Sequence, residues 1–159
     1  MTILEYIASS MPGGQPGKFI SLGQWSEDLD VLLNHGWKGV HAGWGCDRVS
    51  RDLEFISCDL GADPHFVRLL AGYWTKACTT QEIFNQFPGP YDVVWFDAPE
   101  QNRMLWYSDT GQACSPRIYV LPEDGHNEDV VKLACTRGYN DCVMDGRLVL
   151  MHPNYMVKK

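Results

Sequence analysis

Long apolar runs are missing from this 159-residue chain: its longest, such as Val93 to Phe96 and Leu148 to Met151, fall far short of the roughly 20 residues of a membrane span. The N-terminal MTILEYIASSMPGG carries Glu5 and lacks the basic and long apolar regions of a secretion signal. No membrane partner is expected, and the cytoplasm is the expected location. Basic clusters are missing too. Thirteen Lys and Arg are scattered singly against 20 acids, for a net charge of -7, which would repel a phosphate backbone, so no nucleic acid partner is expected. There is no CxxC: Cys46, Cys58, Cys78, Cys114, Cys135 and Cys142 are irregularly spaced. That argues against a disulfide framework or structural zinc and for free, mostly buried thiols. Ser/His/Asp order, internal repeats and a phosphate loop are absent as well, since GKFIS has no GK[ST].

What is present reads as one α/β domain over 1–159, with 1–17 an N-terminal extension and 18–152 the core. After MPGGQPG, Lys18 to Gly23 reads as a short buried strand. Ser26 caps a following helix with Glu27 and Asp28 in its first turn, Leu29, Leu32 and Leu33 as its apolar stripe, and Gly36 as its stop. Lys38 to Ala42 is a second strand, followed by a loop over GWGCD, and Leu53 to Cys58 is a third. Asp63 and Pro64 start a helix through Tyr73, and Thr80 starts a short one carrying Ile83, Phe84 and Phe87. Tyr91 to Asp97 is the clearest strand, apolar and β-branched, and is expected at the centre of the sheet. A helix is expected after Pro99, a strand over Arg117 to Leu121 and a helix over Asn127 to Arg137. Finally, Asn140 to Met144 and Arg147 to His152 flank Asp145-Gly146, a two-residue type I′ hairpin signal. The expected fold is therefore a doubly wound, mostly parallel sheet with a C-terminal antiparallel hairpin, unlike the all-parallel dinucleotide-binding plan.

On three stretches the sequence resembles the FkbM-like family of S-adenosylmethionine (SAM)-dependent methyltransferases. KFISLGQWSEDLDVLLNHGWKGVHAG is similar to that family's first strand, glycine loop, helix and second strand. TTQEIFNQFPGPYDVVWFDAPEQNRML is similar to its Thr-led helix, YDVVxxD strand and acidic loop, and RIYVLPEDG, KLACTRGY and the hairpin complete the order. The chain departs from the family at Ser21 and Glu27, where an Asp and a second glycine are usual, and at Ala42-Gly43-Trp44, where a Glu-Pro pair holds the ribose hydroxyls.

The resemblance implies SAM as cofactor, lined by Ser21, Gly23, Gln24, Trp25, Gly43, Trp44, Asp59 and Asp97, with Asp97 and Glu100 as candidate catalytic acids. Each position also has a plainer reading. Gly23 suits close backbone approach or simply a turn. Asp97 suits a ligand at a strand end or a cap for the helix after Pro99, and Glu100 suits a base or a first-turn acid. Asp59 suits an adenine neighbour or a turn, and Trp25 and Trp44 suit stacking on a base or ordinary packing. His35 and His41 have no acid or cysteine nearby in sequence. His126 with Glu123, Asp124 and Glu128 reads as a solvated capping loop, so no metal is expected. The implied activity is methyl transfer to a hydroxyl of a small molecule or sugar. The alternative is a catalytically inactive module of the same fold used for binding or scaffolding. The short loops leave room for a second copy of the chain to complete an acceptor site.

Overall fold

The computed structural model describes residues 2–9, 11, 15–44, 53–60, 76–78, 83–85, 87–97 and 116–153. Chain order is α1 (Ile3–Ser9), β1 (Lys18–Gln24), a 3-10 turn (Glu27–Leu29), α2 (Asp30–Asn34), β2 (Lys38–Trp44), β3 (Leu53–Leu60), β4 (Lys76–Cys78), β5 (Val93–Asp97), β6 (Ile118–Pro122), α3 (Glu128–Thr136), β7 (Asn140–Met144) and β8 (Arg147–Met151). The strands form one sheet in the order β4-β3-β2-β1-β5-β6-β8-β7. Pairings from β4 to β6 are parallel, and β8 runs antiparallel to both β6 and β7. The sheet is thus mostly parallel with an antiparallel C-terminal hairpin, as the strand and turn signals predict. The Asp145-Gly146 turn has positive φ at both central residues, 54° and 72°, the type I′ geometry whose twist matches the flanking strands.

Alternating side chains divide the core into two layers. On one face Ile20, Leu22, Val40, Val94, Phe96, Tyr119 and Leu150 meet Ile83 and the inner side of α3, Val130 and Ala134. On the other, Phe19, Val93, Trp95, Val120 and Val149 meet α2 through Leu32 and Leu33 and α1 through Ile3, Leu4 and Ile7. The segment read as an N-terminal extension therefore contributes a helix to this second layer. Strand β1 is buried throughout except at its two ends, as expected for a strand covered on both faces.

Some boundaries differ from the sequence reading for identifiable reasons. Strand β2 runs on through Gly43, which pairs with both neighbours, and Trp44, which pairs with Gln24 of β1, so the first two residues of the predicted loop are strand. The predicted helix after Ser26 divides into the 3-10 turn and a five-residue α-helix. Strand β4 was not foreseen. The loop after Trp44 and the helices expected from Asp63 and after Pro99 lie outside the described residues, as does the start of the one expected at Thr80. The expectation of mostly buried thiols is corrected at two positions, since Cys135 and Cys142 are free and exposed. Partial desolvation and then Asp141 raise the pKa of the Cys142 thiol, which keeps it protonated at neutral pH.

One carboxylate fastens the N-terminal edge of the sheet. Asp92 accepts the Lys18 backbone N–H at 2.9 Å and the Arg117 Nε–H at 3.1 Å, while its carbonyl accepts the N–H groups of Arg117 and Ile118. It thereby joins the starts of β1, β5 and β6 around a partly buried charge. Asp92→Ala leaves a donor on each neighbour without its acceptor and is expected to lower stability by about 2 kcal/mol. A urea midpoint within experimental error of the parent would refute that role.

Candidate functional site

The opposite, C-terminal edge carries most of the residues singled out from sequence. Strand β1 lies between β2 and β5, both parallel to it, and the chain leaves β1 for β2 through α2 on one face. The entry to β5 comes through residues 83–87 on the other face, where Ile83 and Phe87 join through a backbone hydrogen bond. A crevice opens beyond the strand ends where consecutive connections diverge in this way, and ligands of open α/β sheets bind there. The register sets Ser57, Gly43, Gly23 and Asp97 side by side across β3, β2, β1 and β5 at this edge. Gln24, exposed, follows in register with Trp44.

Gly23 has φ 106°, a conformation that side-chain-bearing residues rarely adopt. Gly43 is required for a different reason: a Cβ there would collide with the Gly23 carbonyl oxygen, with the Gly23 Cα at 2.9 Å. The two strand ends are thus bare backbone in mutual contact, and the half-buried Asp97 carboxylate stands beside them on β5.

Two of the side chains singled out from sequence are buried within the sheet's inner layer. Ser21 is fully buried on the α1/α2 side, and its hydroxyl lies 3.0 Å from His41 Nδ1. The pair sits on adjacent strands in direct register. Trp25 is 8% exposed and packs against Phe19, with ring centres 6.5 Å apart, and edge-on to His41 at 5.3 Å. Both are held in the inner layer by apolar packing, so a ligand at the strand ends would meet only their backbone. Sequence reading missed the role of His41 because its partner lies 20 residues away; the signal was a polar residue at the same position in each of two adjacent buried strands. Glu100 and the side chains of Trp44 and Asp59 lie outside the described residues. In the acidic loop, Asp124 accepts the His126 N–H at 3.1 Å and Asn127 donates to the Pro122 carbonyl at 2.7 Å, the behaviour of a helix-capping turn.

No protein-family model and no curated protein matches this sequence. Solved structures do match its fold. The MycE methyltransferase of the mycinamycin biosynthetic pathway, solved with Mg and S-adenosylhomocysteine (SAH), aligns with TM-score 0.52 at 13% identity over 87% of this chain and 42% of its own. Fibrillarin from Aeropyrum pernix with natively bound SAM aligns with TM-score 0.52 at 10% identity, over 90% of this chain and 67% of its own. A ribosomal RNA methyltransferase, putative, from Plasmodium falciparum gives 0.51 at 9% identity over 91% and 89%. The fold is that of the SAM-dependent methyltransferases. This methyltransferase fold spans less than half the length of MycE.

The glycine contact gives a direct test. Gly43→Ala forces a methyl group into the Gly23 backbone, where no side chain can yield, and is expected to cost about 3 kcal/mol or more. Gly125→Ala, at a glycine with open space around its Cβ position, should cost about 1 kcal/mol, for its positive φ alone. Equal melting temperatures for the two variants would refute the contact.

Proposed function

We propose that this chain is a single-domain, FkbM-like methyltransferase that binds SAM in the crevice beyond β1 and β5 and serves a hydroxyl of a small molecule or sugar. The observation that carries the reading is the bare floor at Gly23 and Gly43 beside Asp97, on a sheet of the methyltransferase fold. The floor fits the cofactor's need for close backbone approach, and a carboxylate at the end of β5 fits a cationic sulfonium. SAM supplies an electrophilic methyl group on sulfur. The protein's work is to hold the acceptor oxygen in line and to keep competing water out.

Specific residues take those tasks. The backbone at Gly23 and Gln24 would hold the amino acid end of the cofactor, with Gly43, Trp44 and Asp59 toward the ribose and adenine. Asp97, with Glu100 in the following loop, would accept the acceptor's proton. The net charge of -7 favours a small acceptor over a polyphosphate chain, although two of the structural neighbours are named for ribosomal RNA methylation and fibrillarin. In place of an acid, Ala42-Gly43-Trp44 stands at the end of β2, and Ala42 is fully buried. A missing charge-assisted bond to the ribose diol weakens binding by about 1.5–3 kcal/mol.

Titration with SAH, followed by calorimetry and melting temperature, tests the reading. Saturable binding is expected, and ligand at 100 times its Kd should add about 2.7 kcal/mol of stability. Absence of both heat and a melting shift at millimolar SAH would overturn it.

A further inference from the structure

We infer that Arg147 is an anion-recognition residue on the acceptor side of this crevice, so that the hydroxyl compound served here carries a carboxylate or a phosphate. The inference starts from the strand register. Continuing the β5–β6 pairing two residues beyond Trp95–Val120 sets Asp97 beside Pro122, and Pro122 pairs with Arg147 on β8. Gly43, Gly23, Asp97, Pro122 and Arg147 therefore form one row across the C-terminal edge. Strands are spaced about 4.8 Å apart, so the backbones of Asp97 and Arg147 are about 10 Å from each other. Both side chains leave the sheet on the α1/α2 side: Asp97 lies two residues beyond Trp95, and the Arg147 guanidinium lies over the Trp95 ring, 4.4 Å from its centre.

Charge makes this arginine distinctive. Of the seven Lys and Arg among the described residues, Lys18, Lys38 and Arg117 stand at the N-terminal edge of the sheet, Lys132 and Arg137 belong to α3 and its C-cap, and Lys76 stands beside Cys58 at the C-terminal edge, on the side of the sheet away from the hairpin. Arg147 is the cation that these described residues place on the hairpin side of that edge, in an acidic chain. It lines a cleft of about 140 Å³ with Thr2, Leu4, Asp28, Val31 and Asp145. The Trp95 ring lies under the guanidinium and restricts its position before any ligand arrives. The two carboxylates of the cleft leave its hydrogen-bonding edge available. Asp145 is engaged by the Ile3 N–H at 2.6 Å. Asp28 reaches a single Arg147 nitrogen at 3.8 Å from a side chain that is 68% exposed, a contact of the kind that contributes little. A ligand anion can displace it and engage two guanidinium N–H groups at once, the geometry in which arginine binds carboxylate and phosphate. An acceptor spanning from Arg147 to Asp97 would present its hydroxyl near the carboxylate and its anion at the guanidinium.

The role of Arg147 in selecting the acceptor rests on the methyltransferase reading, whereas anion binding at Arg147 does not, and one set of titrations separates them. Benzoate, inorganic phosphate and the neutral control benzyl alcohol are titrated calorimetrically into the full chain, and SAH into the same preparation. Benzoate or phosphate should bind saturably and benzyl alcohol should not; the stronger of the two identifies the anionic group. Arg147→Gln should weaken anion binding at least about tenfold, and Arg147→Lys should restore part of it. Asp28→Asn should tighten it about threefold by removing the competitor, while Asp129→Asn, the same charge change on the outer face of α3, should leave it unaltered. A purely structural arginine would not give opposite effects at positions 147 and 28. Anion binding that is absent, insensitive to Arg147→Gln, or raised equally by both Asp→Asn changes overturns the inference. SAH binding without anion binding overturns this inference alone, and anion binding without SAH binding overturns the methyltransferase reading while leaving the Arg147 site in place.

Discussion

Strand β1 has no free edge and almost no free face. It pairs in parallel with β2 on one side and β5 on the other, over seven and five residues. Parallel pairing demands a crossover for every strand, and crossovers of one hand must lie on opposite faces when the chain builds outward in two directions. That constraint places α2 under one face and the Ile83 turn over the other. It also produces the crevice at the strand ends. The site is in this sense a consequence of packing, created before any residue is chosen for chemistry.

The two edges of the sheet are finished in opposite ways. At the N-terminal edge, Asp92 satisfies donors from two neighbouring strands and Gly17 leaves no space beside it: a Cβ there would come within 2.6 Å of Asp92 Oδ2 and 2.8 Å of the Trp37 ring. Such an edge is closed by side chains. At the C-terminal edge, glycines remove side chains and the remaining carboxylate, Asp97, stands at a strand end. A rigid base with a rim free of side chains at Gly23 and Gly43 fixes the position of the strand ends.

Much of the architecture was legible because local signals and tertiary demands agree. Lys18 to Gly23 and Tyr91 to Asp97 are continuous apolar runs because both their faces are covered, and Asp145-Gly146 specifies its turn through backbone conformation alone. The α1 helix was not legible, because Ile3, Leu4 and Ile7 make a short apolar stripe that acquires meaning only against Trp95 and Val149. Strand β4 is three residues long, too short to carry a period. In the site, Gly23 and Asp97 could be located because strand ends are marked in sequence. The directions taken by Ser21 and Trp25 could not, since they depend on which face of β1 receives α2.

Ser21 shows how the same position can change its meaning within an intact fold. Where the sequence resemblance leads to the expectation of an acid, the chain has a fully buried hydroxyl 3.0 Å from His41 Nδ1. A buried hydroxyl is offset by a single hydrogen bond, which it shares with the His41 ring, whereas a carboxylate would bring a charge into the same layer. The serine thus matches the histidine opposite it, against which Trp25 packs edge-on. With that polar pair turned inward, the rim presents backbone at Gly23 and Gly43 and, farther along the edge, the side chains of Asp97 and Arg147. Backbone at one end and opposite charges at the other make an asymmetric rim, able to fix the direction in which an elongated ligand lies.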